Sequence, residues 1–226
     1  MSDAIAAVLW DMDGTLVDTE PYWIEREREL VDEHGNGRWT DEHAHALVGF
    51  DLRDSARYIS RYGDVDLPVD TIVNLLLDGV IERVQQRIPW RPGARELLAE
   101  ARADGIPTAL VTMSWRRFTD AVITELPSGS FTTVVAGDDV ANGKPHPEPY
   151  LTAAARLGVD ARYCIAIEDS PTGVQSAVSA GCVVLGVPNV VAIPDHLGHH
   201  PRSTLEGVTV ATLRELMACH PVEPGA

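Results

Sequence analysis

The chain has 226 residues, 45% of them hydrophobic, enough to bury a real core in one large domain or in a core with a smaller companion. Its 34 acids against 18 bases leave a formal net charge of −16, so there is no basic face for nucleic acid or for anionic lipid. The three cysteines, Cys164, Cys182 and Cys219, lack paired metal spacing, the N-terminus lacks a secretion signal, and no apolar run reaches membrane-spanning length. A soluble, cytoplasmic protein that uses its thiols as small hydrophobes is expected.

Ile5 to Trp10 form an apolar run of strand length that stops at Asp11-Met12-Asp13-Gly14-Thr15. A buried parallel strand would deliver both carboxylates, which start out on the same side, to the edge where α/β sheets hold their ligands. Alone, Asp-x-Asp-Gly reads equally well as a turn. Leu16 to Pro21 pass from a strand end through a loop into a helix start, and from about Tyr22 to Ile88 strand signals vanish. Trp23, Glu27, Leu30 and Val31 fit a helix, as do Leu52, Ala56 and Ile59. Ile72, Leu75, Leu76, Gly79, Val80 and Val84 repeat with helical period behind Pro68 and Asp70. Residues 19–88 therefore read as an inserted all-helical domain, itself acidic with 15 acids and 8 bases.

Pro89-Trp90-Arg91-Pro92-Gly93 punctuates a return to α/β text. Helices are expected over about 93–104, 116–126, 147–157, 172–180 and 212–218. They alternate with strands over 108–111, 132–136, 163–167 and 182–186, and a short strand near Val208 follows a loop rich in Pro, His and Gly. Such alternation predicts a doubly wound parallel, Rossmann-like sheet for a core domain of residues 1–18 and 89–226. The last half-dozen residues read as a disordered tail.

The other strand ends match the first. Strand 108–111 runs into Thr112-Met113-Ser114, which offers hydroxyl and backbone donors, and strand 163–167 runs into Glu168-Asp169-Ser170. A loop between them holds Gly143-Lys144-Pro145. The 18 bases are 17 arginines and one lysine, so a chain that uses Arg almost everywhere keeps a compact ammonium at position 144. Four carboxylates, Asp11, Asp13, Glu168 and Asp169, would repel around one cleft as bare charges; a hard divalent cation with oxygen ligands makes them favourable, and Mg²⁺ fits best. That cation would also let an acidic protein bind an anionic small molecule.

In order and approximate spacing, Asp11-Met12-Asp13-Gly14-Thr15, Thr112, Lys144 and Glu168-Asp169 resemble the four motifs of the haloacid dehalogenase-like hydrolase superfamily. The resemblance covers nearly the whole chain. It is nearest to the branch holding beta-phosphoglucomutase, phosphoglycolate phosphatase and small sugar-phosphate phosphatases, where a helical cap is inserted between the first two motifs. It implies an Mg²⁺-dependent phosphatase acting on a small phosphomonoester, with Asp11 as nucleophile and Asp13 as acid and base. Thr112, Met113, Ser114 and Lys144 would hold phosphoryl oxygens. Asp11, the main-chain carbonyl of Asp13 and Asp169 would bind the metal, and Glu168 would be a further ligand or an orienter. A phosphomutase of the beta-phosphoglucomutase type is the alternative, although such relatives use a cap His and Lys and residues 19–88 contain no lysine. A catalytically silent binding protein of the same fold is a third reading.

Glu20, Tyr22, Trp23 and Arg53 lie where the cap faces the cleft in relatives and would contact the leaving group, unless they form only a solvated helix face with two packed aromatics. Arg116 and Arg117 read as a second phosphate clamp or as exposed bases. His196, His199 and His200 lack a partner cysteine or second cluster and read as a polar loop.

Overall fold

The computed structural model describes residues 5–47 and 51–220; the tail expected beyond them lies outside the described residues. The chain divides into two compact units, the described parts of Met1–Asp18 with Trp90–Ala226 and those of Thr19–Pro89.

The larger unit is built on a parallel sheet of strands β1 (Ala7–Trp10), β2 (Thr108–Val111), β3 (Thr133–Val135), β4 (Cys164–Glu168), β5 (Val183–Gly186) and β6 (His200–Pro201). Their order across the sheet is β3-β2-β1-β4-β5-β6. This is the doubly wound arrangement, whose direction of winding reverses between β1 and β4 and opens a crevice at their carboxyl ends. Around the sheet run α5 (Ala94–Ala103), α6 (Arg116–Glu125), α7 (Glu148–Leu157), α8 (Pro171–Ser179) and α9 (Val210–Ala218). Ala7, Leu9, Ala109, Val111, Ala166 and Val184 pack against Tyr150 and Ala153 of α7 and Val174 and Ala177 of α8. The alternating residues Val8, Trp10, Leu110, Ile165 and Ile167 are equally buried. Since successive side chains point to opposite faces, both faces of the central strands are covered, which explains why these strands read as unbroken apolar runs.

The smaller unit comprises α1 (Glu20–His34), α2 (Asp41–Ala46), α3 (Leu52–Tyr62) and α4 (Val69–Gln86). Leu30, Val31, Ile59, Ile72, Leu76 and Val80 form its interior. Buried Arg26 of α1 donates from Nε to the Leu75 carbonyl at 3.1 Å and lies where Gly79 lacks a Cβ, so a larger residue at 79 would collide with it. Arg83 of α4 answers by pairing with Glu25 and Glu29 of α1. Glu27, the acid on the apolar face of α1, has one carboxylate oxygen without a hydrogen-bond partner, and burial pushes its carboxyl up to about 8.

Two expectations need correction. The short strand expected near Val208 is not formed: Val208 N–H closes a turn on the Leu205 carbonyl, and the last strand is His200–Pro201, continued by Arg202 N–H on the Gly186 carbonyl. The helix α2 was not expected, because Asp41-Glu42-His43-Ala44-His45-Ala46 has no apolar period and its signal lies in the Thr40 and His43 cap. Among the described residues no helix is long and apolar enough to cross a membrane.

Leu9 sits fully buried at the middle of this sheet. Chemical denaturation of Leu9→Ala is expected to show a loss of about 2–5 kcal/mol. Val191→Ala, at a side chain 54% exposed, should stay within about 0.5 kcal/mol of the parent.

Candidate active site

The sheet brings the marked strand ends together. Asp11 N–H bonds the Ile167 carbonyl at 3.0 Å and Thr112 N–H bonds the Val135 carbonyl at 2.9 Å, so the acids of β1 and β4 and the hydroxyls after β2 emerge side by side. Lys144 reaches the same point from the loop before α7. Its Nζ donates to Asp11 Oδ1 at 2.7 Å, to Glu168 Oε1 at 2.6 Å and to the Val111 carbonyl at 2.9 Å. An ammonium has three hydrogens, and here all three are used. The planar fork of an arginine could not converge on these acceptors, which gives the single lysine a geometric reason.

Glu168 is wholly buried and both of its oxygens are engaged. Oε1 accepts from Lys144 and from the Tyr150 hydroxyl at 2.8 Å; Oε2 accepts from Asp169 N–H, Ser170 N–H and Ser170 Oγ. Gly173 of α8 leaves the room for this, since a Cβ there would fall on the carboxylate. Tyr150 was not among the expected site residues; it falls in the helix expected over about 147–157. Its ring also stands 5.2 Å from Lys144 Nζ, so one side chain both donates to the acid and packs on the ammonium.

Asp13 follows a different path. Its Oδ2 accepts from Ser114 Oγ at 2.7 Å and from Thr112 Oγ1 at 3.3 Å, while Ser114 N–H bonds Thr112 Oγ1 at 3.0 Å. The hydroxyl pair therefore orients the second acid. Met113 turns its sulfur to Lys144 N–H at 3.2 Å. Gly14, at φ +84, admits Asp169 Oδ2 to the space a Cβ would fill, so the Asp-x-Asp-Gly turn stands directly against Asp169.

Asp11, Glu168 and Asp169 offer oxygens that all lie within 4.8 Å of one another, and Asp11 Oδ2 is buried without a hydrogen-bond partner. Burial is the main cause that raises Asp11 to about 7, against the opposing pull of Lys144; burial, then Asp11 and Glu168, raises Asp169 to about 8. Burial opposes the charge on Lys144, but the Asp11 and Glu168 carboxylates outweigh it and hold the ammonium charged, well above its usual range. Three acids with one ammonium and an orphaned carboxylate oxygen fit a hard divalent cation.

Other expected residues have partners within their own unit. Glu20 and Arg53 belong to the helical unit, at the starts of α1 and α3, where Arg53 pairs with Asp70 at 2.9 Å. Tyr22 donates its hydroxyl to the Arg87 carbonyl in the same unit. Arg116 is an ion-pair partner of Asp120 and Asp139. Cys164 and Cys182 are buried free thiols, as expected of small hydrophobes, and Cys219 is exposed.

A doubly wound sheet that gathers a lysine and acids at its switch point defines a Rossmann-like enzyme core. Residues 8–187 match the haloacid dehalogenase-like hydrolase family, and the chain belongs to that family. It is 29% identical to hexitol phosphatase B of Escherichia coli over 95% of both chains. It is 31% identical to the phosphorylated carbohydrates phosphatase of Thermotoga maritima over 77% of this chain and 81% of that one. The crystal structure of CbbY from Rhodobacter sphaeroides in complex with phosphate superposes with a TM-score of 0.80 at 26% identity, covering 93% of this chain and 99% of the other.

An acid whose value is raised on folding holds its proton more tightly in the native state, so its contribution is present below about pH 4 and is lost as pH rises through about 8 for Asp169. In chelator, Asp169→Asn should therefore be more stable than the parent by a margin that widens over that window. Denaturant titrations at several pH values read this, and a margin independent of pH would contradict it.

Proposed function

We propose that the protein is an Mg²⁺-dependent phosphatase of a small phosphomonoester, a sugar phosphate or similar compound, working through an aspartyl phosphate on Asp11. The observation that carries this reading is the Lys144 ammonium clamped between Asp11 and Glu168 while the other oxygen of Asp11 stays unpaired at the crevice. The phosphatase names of the relatives support the reaction class, and their carbohydrate-related names support the substrate class.

Asp11 attacks phosphorus and forms the new P–O bond as the bond to the leaving alcohol breaks. Asp13, oriented by Ser114 and Thr112, gives its proton to that alkoxide oxygen. In the second half Asp13 takes a proton from water, the resulting hydroxide attacks phosphorus, and Asp11 and inorganic phosphate are released. Thr112, Met113, Ser114 and Lys144 surround the position of the phosphoryl oxygens. Mg²⁺, held by Asp11, Asp169 and the Asp13 carbonyl, would neutralise the charge on the transferring group. Glu168, with both oxygens already accepting hydrogen bonds, orients Lys144 rather than reacting. Contact of Glu20 and Arg53 with the leaving group is assigned by family resemblance alone. Hydrolysis is preferred to mutase action because Lys144 is the sole lysine of the chain and lies in the core.

A phosphate-release screen over phosphorylated sugars, sugar alcohols and phosphoglycolate, with Mg²⁺ and with chelator, tests the proposal. Release should require Mg²⁺ and fall to background in Asp11→Asn. Lys144→Arg should lower kcat by about 10²–10³-fold. Interconversion of hexose phosphates without free phosphate would favour the mutase, and no turnover of any ester would favour a silent binder.

A further inference from the structure

Of the histidines read as a polar loop, His196 is exposed, whereas His199 and His200 are partly buried at the edge of the sheet. His200 lies on β6 and His220 follows the end of α9, two residues twenty positions apart that the fold holds side by side. His200 Nε2 and His220 Nδ1 stand 3.3 Å apart, with the rings at 76° to each other. At that separation one ring can donate to the other, so in the metal-free protein the pair is held by a hydrogen bond. Two imidazole nitrogens on one tetrahedral Zn²⁺, each about 2.0–2.1 Å from the metal, stand about 3.3 Å apart. We propose that His200 and His220 form a two-histidine site for a Zn²⁺-class transition-metal ion, which ties the edge strand to the end of the last helix.

Both sides of the pair are anchored. β6 bonds to β5, and Arg202 N–H continues that ladder onto Gly186. On the other side, His220 N–H bonds the Met217 carbonyl, and α9 is fixed by Leu213 in the core and by the ion pair of Arg214 with Asp104. A site whose ligands are tied to the sheet on one side and by a backbone hydrogen bond to a packed helix on the other loses less freedom on binding than one on a free loop. His199 itself turns inward, its ring filling the space where Gly186 has no Cβ, and leaves the pair as the outward-facing ligands. The Arg202 guanidinium donates to the Pro201 carbonyl; it is the local cation that disfavours the metal, against the chain's net charge of −16. Water would complete the coordination.

The site is independent of the phosphatase reading, and its test must keep the acid cluster from binding zinc. In an untagged Asp11→Asn/Asp169→Asn/Cys219→Ser background, calorimetric titration with Zn²⁺ should give one ion per chain. His200→Gln or His220→Gln, added separately, should abolish that uptake. No zinc uptake in the background, or uptake unchanged in both histidine variants, overturns the proposal. In the wild-type protein with saturating Mg²⁺, imidazole ¹H–¹⁵N spectra supply a second reading that needs no substitution. Zn²⁺ should shift the His200 and His220 ring signals and leave that of exposed His196 in place; a shift at His196 with none at the pair overturns it equally.

Discussion

The three-way bond of Lys144 to Asp11, Glu168 and the Val111 carbonyl is the interaction on which the core depends. It joins the carboxyl ends of β1, β2 and β4 through a residue that belongs to none of them. A buried ion pair is seldom a net source of stability, because desolvation offsets most of its attraction, yet removing one partner strands a charge at a cost of about 3–5 kcal/mol. The arrangement is therefore better understood as a device for holding acids together in a buried place than as a source of net stability. Glu168 shows the extent of the provision: an exposure of 0% is tolerated because three side chains and two backbone N–H groups donate to it.

That provision stops short of full compensation. Lys144 and the hydrogen bonds satisfy Glu168 and one oxygen of Asp11, but the other oxygen of Asp11 has no partner and Asp169 is raised toward neutrality by its acidic neighbours. A core optimised for stability alone would have closed this gap with a second base, of which the chain has many. The gap lies at the switch point of the sheet, where Gly14 and Gly173 have given up their side chains so that carboxylates can approach the backbone. Close backbone approach and unpaired carboxylate oxygen collected at one crevice mark the position where a cation and an anionic ligand belong.

Most of this was legible from the chain because the relevant signals are periodic or positional. Strands covered on both faces read as continuous apolar runs, and a change to Asp, Thr or Glu at their ends marks the same rim each time, so Asp11, Asp13, Thr112, Lys144, Glu168 and Asp169 could be grouped before any coordinates. What escaped was whatever depends on direction rather than period. Tyr150 falls on an apolar helix face, and nothing in its spacing reveals that the hydroxyl ends on Glu168. His220 gains meaning only when β6 is found at His200–Pro201 rather than near Val208. The helix Asp41–Ala46 is short and polar, held by a cap more than by a buried stripe, and so carries no periodic signal.

The occupation of Lys144 also bears on how an acidic protein handles an anionic ester. Charges more than about 8 Å away are largely screened at physiological ionic strength, so the net charge of −16 governs long-range approach and the few groups at the rim govern binding. With all three of its hydrogens directed at protein acceptors, Lys144 has none to spare for a phosphoryl oxygen while Asp11 is a free carboxylate. In the proposed aspartyl phosphate the charge of Asp11 would be lost, and the hydrogen on Oδ1 would be released toward the new, more strongly charged oxygens. The bonds to Glu168 and Val111 would remain and keep the ammonium in register. In the proposed reaction Lys144 would thus favour the phosphorylated over the free state of Asp11 through a single hydrogen bond that changes partner, a differential interaction of the kind that accelerates a reaction rather than merely tightening binding.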